Sequence, residues 1–373
     1  KNPNADNCPS FESASAMDHY ERLLCSSVAD AARHAVNKCD YNVLHLFADK
    51  AFKDPLSFVE SKGKLKISNM YELGYFCFGP ITASFLAWMV KEVGNDENSI
   101  VLFSSRDGYL LYKLYQHIKC NKPELMLPNA DYFYISRRAA TVACIQNESD
   151  IAEIVTSVLN LSMGSLRETL EQRLGMTFDK NDPILDRSLT DVLGKNEIHE
   201  ILARVLDHKS KILKNAAQER KNYLKYLQKS NINSYENIFL FDLYPRGTNV
   251  SRLNILLGRK VNLLCFAVKD FPNEYINSQY KYKSMFDSKS IMSGEWFRRG
   301  YQLFETVYSS PEGQLMCFDK YGLPLFTENS QYSFNHIKEA QKGITAFIND
   351  LDAFDDKWYR SVYSLDLVDF MSS

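Results

Sequence analysis

Three short runs of apolar, β-forming residues punctuate the chain, and each ends in a turn rich in charge or glycine. Ser99 to Gly108 reads Ser-Ile-Val-Leu-Phe-Ser-Ser-Arg-Asp-Gly. Asp131 to Arg138 reads Asp-Tyr-Phe-Tyr-Ile-Ser-Arg-Arg, and Asn237 to Asn249 reads Asn-Ile-Phe-Leu-Phe-Asp-Leu-Tyr-Pro-Arg-Gly-Thr-Asn. Such runs predict buried strands of a parallel sheet, the second over Asp131 to Ser136. Val261 to Lys269 predicts a fourth strand, ending at Asp270. Helical spacing follows the first run, with Leu110, Leu111, Leu114 and Ile118 on one face, and Val250 to Leu257 follows the third. Tyr71 to Val90 is apolar on most faces and predicts a buried helix starting near Gly79-Pro80, since proline suits a first helical turn. The apolar stretch Tyr75 to Val90, broken by that pair, reads as too short for a membrane span.

Residues 1–70 predict a helical lead-in or cap, with helical spacing over Ala16 to Val36 and Asp40 to Phe58. The α/β core is expected over residues 71–330, interrupted by a helical insertion at 150–230. There Asp150 to Leu161 and Ser165 to Leu174 are amphipathic, and Ser162 to Arg167 resembles a helix start. Glu197 to Gln228 reads as one long helix with a basic outer side, either a solvated face or an acceptor-docking surface. Residues 271–330 are aromatic and loop-rich, and 331–373 predict C-terminal helices. The fold class is therefore α/β, a parallel sheet core flanked by helices, with a large helical insertion and a helical N-terminal region.

Composition narrows the function more than the fold. The 373 residues are 45% hydrophobic and 24% charged, the balance of a soluble globular chain. A net charge of -2 argues against a generally basic nucleic-acid binder and leaves room for a local basic cleft. The 22 Tyr and 23 Phe supply a core and also suit stacking on sugar rings. Eight scattered cysteines form no CxxC pair and show no metal-ligand spacing, which predicts reduced thiols and a cytoplasmic setting. The seven histidines form no cluster in sequence. The chain opens on Lys rather than Met, so a fragment of a longer protein, with a partner domain outside it, is one expectation.

The turns carry the candidate chemistry, because ligands of open α/β sheets sit beyond the carboxyl ends of the strands. An arginine at each of three strand ends points to an anionic, phosphorylated ligand. In the third turn Asp242 can accept from sugar hydroxyls, with Tyr244 and Arg246 beside it. Gly247 permits positive φ and close backbone approach. Thr248 and Asn249 add donors at a helix N-terminus, where backbone N–H groups hold anions. The plain alternative is a strand-to-helix turn capped by Asp242. In the first turn Arg106, Asp107 and Gly108 offer a similar N–H cluster, or a structural Arg–Asp pair. Arg137 and Arg138 of the second turn can neutralise a polyphosphate, with at least one of them a surface or ion-paired residue. Asp107, Asp270 and Glu305 are the candidate general bases.

The order strand, Arg-Asp-Gly turn, helix, strand, Arg-Arg, insertion, strand, Asp-x4-Gly-Thr turn, helix, strand resembles the type I phosphoribosyltransferases. In that family a loop after the first strand holds pyrophosphate, and a longer loop holds ribose 5-phosphate with acidic residues on the ribose hydroxyls. Asp242 and Gly247 keep the acid-to-glycine spacing of that longer loop. Phe241, Arg246 and Asn249 stand where a second acid and two threonines are usual. A closer resemblance covers roughly residues 70–330. Leu73-Gly74, Phe78-Gly79-Pro80, Leu102 to Tyr115, Tyr132 to Arg138, Phe239 to Thr248, Glu305 and Pro311-Glu312-Gly313 resemble a bacterial polysaccharide-locus family. That family is similar to ribofuranose-adding enzymes of capsule and O-antigen synthesis.

The resemblance implies a type I phosphoribosyltransferase-like core and phosphoribosyl pyrophosphate as donor, with Mg²⁺ as cofactor and Asp242 as its candidate contact. It implies a polysaccharide hydroxyl as acceptor, inversion to a β-ribofuranoside, and catalytic roles for Asp107, Asp242 and Glu305. Arg106, Gly108, Arg137, Arg138, Tyr244, Arg246, Gly247, Thr248 and Asn249 would bind substrate. Members often follow a haloacid-dehalogenase-like phosphatase domain, so such a domain or partner is expected. So is a place at the inner face of the bacterial membrane where the acceptor is lipid-linked.

Three rivals remain. A haloacid-dehalogenase-like phosphatase needs a second acid two residues after its nucleophilic Asp, yet Asp107 is followed by Gly108 and Tyr109, and Asp242 by Leu243 and Tyr244. A non-catalytic glycan- or nucleotide-binding module fits the single acid of the third turn and the tyrosine-rich composition. A nucleotide-sugar glycosyltransferase would carry a DxD-like metal site, and the acids Asp352, Asp355 and Asp356 lie far from any strand end.

Overall fold

A computed structural model of the chain describes residues 38–52, 55–61, 67–161, 164–179, 182–191, 194–268, 281–286, 295–328 and 334–360. The helical expectation over Ala16 to Val36, and Asp270 with its candidate role, lie outside these residues. In chain order the main elements are α1 (Lys38–Ala51), α2 (Met70–Val93), β1 (Ser99–Ser104), α3 (Tyr109–Asn121), β2 (Asn129–Phe133), α4 (Arg137–Cys144), α5 (Glu148–Leu159) and α6 (Leu166–Leu174). There follow α7 (Lys195–Leu206), α8 (Lys209–Lys229), β3 (Asn237–Asp242), α9 (Thr248–Leu257), β4 (Asn262–Ala267), β5 (Tyr282–Phe286), α10 (Glu295–Tyr308), β6 (Leu315–Phe318), β7 (Pro324–Phe326) and α11 (Phe334–Phe354).

Strands β1 to β5 form one all-parallel sheet in the order β2-β1-β3-β4-β5, with helices on both faces. Side chains alternate between the faces, as the strand period requires. Ile100, Leu102, Ile238, Leu240 and Leu263 enter one core, with Val250 and Leu253 of α9. Val101, Phe103, Phe241, Leu264 and Phe266 enter the other, with Leu110, Leu111 and Leu114 of α3. Both faces are covered, so the strands read as continuous apolar runs. The connections from β1 and β3 leave for opposite faces, so their carboxyl-terminal turns part between the two central strands. That switch point is where open sheets leave a crevice. The insertion α5–α8 builds its own core around Ile151, Val155, Leu170 and Ile201, joined to the sheet layer through Val142 of α4.

Several expectations change. Residues 271–330 were expected to be loop-rich, yet they supply a fifth strand, the helix α10 and the hairpin β6–β7. Phe304, Val307 and Tyr308 recur there at helical spacing and are buried. The second strand ends at Phe133 rather than Ser136, because Ser136 turns its hydroxyl to the N–H of Ala139 and caps α4. The long helix expected over Glu197 to Gln228 breaks at Asp207-His208. The break lets Ile201 and Val205 on one side, and Ile212 and Ala216 on the other, reach the same core.

Helix α2 begins nine residues earlier than Gly79. Pro80 has no N–H to offer, and the turn before it widens into π-helix over Leu73–Phe78, with Gly79 N–H bonded to Gly74 O. The result is one helix of 24 residues, long and apolar enough to cross a membrane, and 78% buried inside the protein over its most apolar window. It crosses α11 at contact distance. A Cβ on Gly74 would lie 1.9 Å from Ala340 O, and one on Gly343 would lie 2.0 Å from Tyr71 O. This crossing anchors the rear of the sheet, since Gln341 of α11 also bonds Val307 O and Ser309 O at the end of α10. Gly343→Ala is expected to lower stability by about 3 kcal/mol through overpacking. Urea unfolding would show a lower midpoint with an unchanged slope.

Candidate active site

The turns after β1, β2 and β3 meet at one end of the sheet and line a cleft of about 370 Å³. The first turn is held by its own backbone. Ser105 N–H bonds Phe133 O, Gly108 N–H bonds Ser104 O and Tyr109 N–H bonds Arg106 O. Arg106 N–H bonds the hydroxyl of Tyr132 at 2.9 Å. These four donors fold the turn itself, while α3 starts at Gly108 without a side-chain cap. Gly108 serves packing: a Cβ there would sit 2.6 Å from Ser104 O. Arg106 adopts φ 71°, an unusual conformation for a residue with a side chain, and lines the cleft with Asp107.

The third turn differs. Gly247 has φ 82° and stands at the N-cap of α9 with no side-chain cap. The unpaired N–H groups of a helix's first turn thus face the side of the cleft that Thr248 lines. Asp242 does not cap the helix. Its carboxylate accepts from Asn249 Nδ2 at 3.2 Å, which leaves Asn249 Oδ1 buried without a partner. Tyr244 lines the cleft and also packs on the core beneath it.

The arginines of the second turn separate in role. Arg137 is exposed and reaches the cleft. Arg138 touches the cleft wall, but its guanidinium is engaged by Glu219 of α8 and by the carbonyl of Met316 in β6. Two of its nitrogens are thus committed to the scaffold, and its Nε has no hydrogen-bond partner. Gln172, Arg173, Gln314 and Leu315 also line the cleft and had no warning in the turn pattern. Arg173 comes from α6 of the insertion, and Gln314 from the strand entry after α10. Only the amphipathic spacing of α6 hinted at Arg173, which lies beside Leu170 and Leu174 on a helix whose apolar side is buried.

The cleft gathers Arg106, Arg137, Arg173 and Arg246 around Asp107, Asp242 and Glu305. Among the described residues none of the four arginines forms an ion pair within 4.0 Å. Burial lowers Arg173 to about 10, and the like charges of Arg137 and Arg246 add to the effect. Burial raises Asp107 to about 8, Asp242 and Glu305 push it further, and Arg106 opposes them. Burial also raises Asp242, against the Asn249 hydrogen bond and the charge of Arg137. Glu305 is raised by burial and by Asp242, and pulled down by Arg106, Arg137 and Arg246. Cations without acidic partners, in a low-dielectric cleft beside an uncapped helix, suit a polyanion. Among the described residues no three His, Cys, Asp or Glu side chains converge on a metal position. Mg²⁺ carried on phosphates needs only one or two carboxylates, which Asp242 and its neighbours can supply.

Two outcomes follow. Asp107 titrates at about 4 in the unfolded chain and at about 8 when folded, so the folded state holds the extra proton between those values. Stability from this group is therefore present at low pH and lost as pH rises through 8. The thermal midpoint is expected to fall by about 5 °C between pH 5 and pH 9, and Asp107→Asn flattens that fall. Arg138→Ala strands the Glu219 carboxylate and is expected to cost about 3 kcal/mol in denaturant unfolding.

No protein-family model matches the chain, and no curated protein matches it either.

Proposed function

We propose that the chain is a glycosyltransferase built on a type I phosphoribosyltransferase-like core. It moves ribofuranose 5-phosphate from phosphoribosyl pyrophosphate to a hydroxyl of a polysaccharide acceptor. The observation that carries this reading is the convergence on one cleft of unpaired arginines from all three strand-end turns with an uncapped helix N-terminus. A phosphorylated sugar with a second polyphosphate group matches that layout. Asp242, beside Asn249, suits the ribose hydroxyls between the two charged ends.

The bond from the anomeric carbon to pyrophosphate breaks as the bond to the acceptor oxygen forms, through an oxocarbenium-like state. Arg106 and Arg137 stabilise the charge that develops on the departing pyrophosphate. The hydroxyl proton passes to a carboxylate lining the cleft. Asp107 is the best placed in acidity, since a base works best near the operating pH. Glu305 stands by as a second acid group. Bound Mg²⁺ would add Lewis-acid stabilisation of the leaving phosphates, with Asp242 as its protein contact. Attack opposite an α-linked leaving group gives a β-ribofuranoside. A cytoplasmic setting, with the acceptor brought to the inner face of the membrane and a phosphatase partner trimming the product, belongs to the same reading.

Calorimetry with phosphoribosyl pyrophosphate and Mg²⁺, against a UDP-sugar control, tests the donor. Binding of the first alone is expected, about tenfold weaker in Asp242→Asn. Pyrophosphate release is expected to fall about a hundredfold in Arg106→Ala. Binding without any pyrophosphate release would favour a non-catalytic sugar-phosphate module, and no binding would sink the donor assignment.

A further inference from the structure

A second groove opens from the first, enclosing about 810 Å³ between α5 and α9, with Thr141 of α4 in its lining. Arg137, Arg173 and Arg246 line both spaces, so the two meet at these three guanidiniums. The groove is elongated. Along α9 it is lined by Thr248, Ser251, Ile255 and Gly258, which spans roughly 15 Å of helix. The exposed Ile255 and the half-buried Leu161 give it an aliphatic wall, with Ile154 and Val158 of the insertion core behind.

Thr141 is 4% exposed, and its Oγ1 has no hydrogen-bond partner. Buried hydroxyls are normally bonded, so this one is an acceptor or donor that a ligand can complete. Arg137 and Thr141 lie one turn apart on α4, so they share a face. The acids of the groove are already engaged. Glu153 pairs with Arg252 at 3.1 Å, and Asp150 accepts from the N–H groups of Gln146 and Asn147. The three shared arginines and Lys260 at the far end form no ion pair among the described residues. Among the described residues the groove lining contains no aromatic ring, which single-stranded nucleic acid would need for stacking.

We propose that this groove binds the acceptor as an extended, negatively charged oligosaccharide. Its sugar rings lie along Ile255 and Leu161, one hydroxyl bonds Thr141 Oγ1, and the end beside the three arginines enters the first cleft. The identity of this ligand as an acceptor rests on the transferase reading above.

Saturation-transfer NMR on the full chain tests it, with α-1,4-trigalacturonate as probe and maltotriose and a tetranucleotide as comparisons. Ser157 is an exposed residue of the groove wall, so Ser157→Trp fills the groove from outside the core. Trigalacturonate is expected to bind more strongly than maltotriose, and at least tenfold more weakly to Ser157→Trp. Thr141→Val is expected to weaken it about threefold while raising the melting temperature of the free protein, because the orphan hydroxyl is gone. Binding of phosphoribosyl pyrophosphate is expected to be unchanged in Ser157→Trp. Failure of trigalacturonate to bind, equal binding to Ser157→Trp, or tighter binding of the tetranucleotide would overturn the proposal. If trigalacturonate is lost in Ser157→Trp while phosphoribosyl pyrophosphate never binds, the groove stands as a glycan site and the donor reading falls alone.

Discussion

The guanidinium of Arg138 joins three parts of the chain that are distant in sequence. It starts from α4, pairs with Glu219 of α8 and bonds the carbonyl of Met316 in β6. A buried pair gains stability when further hydrogen bonds support it, and here the Met316 carbonyl supplies one while Arg138 Nε has no partner. The helix that carries it is pinned at both ends. Ser136 caps its N-terminus and bonds Leu315 O, and Arg220 of α8 donates to Ala143 O and Ile145 O at its C-terminus. With α4 fixed in this way, Arg137 and Thr141 have little choice of direction. The two spaces that meet beside α4 inherit their shape from this joint.

The opposite wall of the cleft depends on packing rather than charge. Glu305 sits on α10, whose end is held by the Thr82–Tyr308 hydroxyl contact at 2.7 Å and by the two bonds from Gln341. Behind them, α2 and α11 approach to backbone contact at Gly74 and Gly343. Glu305 is thus mounted on a support separate from the turns that carry the arginines, whereas Asp107 shares its turn with Arg106 and Asp242 shares its turn with Arg246.

Much of this was legible in the sequence. Apolar runs ending in Arg-Asp-Gly, Arg-Arg and Arg-Gly-Thr located three strands and the turns that line the cleft, because both faces of a parallel sheet are buried. Gly247 was readable because a turn with positive φ selects glycine. Other features were not local. Arg137 and Arg138 are adjacent and chemically identical, and only the tertiary position of Glu219 separates the ion-paired residue from the one without an acidic partner among the described residues. Arg173 arrives from an inserted helix, and spacing along α6 cannot say what its exposed side will meet. The Arg-Asp-Gly turn misled in a specific way. Glycine there implies backbone N–H groups turned outward, but Gly108 is small because Ser104 O lies beneath it, and its own N–H closes the turn. The fifth strand and α10 were hidden because aromatic residues suit helix, strand and loop surface alike.

The unpaired arginines also bear on the acids beside them. Arg106 is the one cation that draws the Asp107 proton away, while burial, Asp242 and Glu305 hold it in place. Glu305 is drawn down by Arg106, Arg137 and Arg246 together. A polyanion bound between these guanidiniums would neutralise the pull and leave the push. Both carboxyls would then become stronger bases when the cleft is filled than when it is empty. Asp107 shares its turn with Arg106 and Asp242 shares its turn with Arg246, while Glu305 stands on α10, so an anion in the cleft would act on the acids through charges that the scaffold already holds in place.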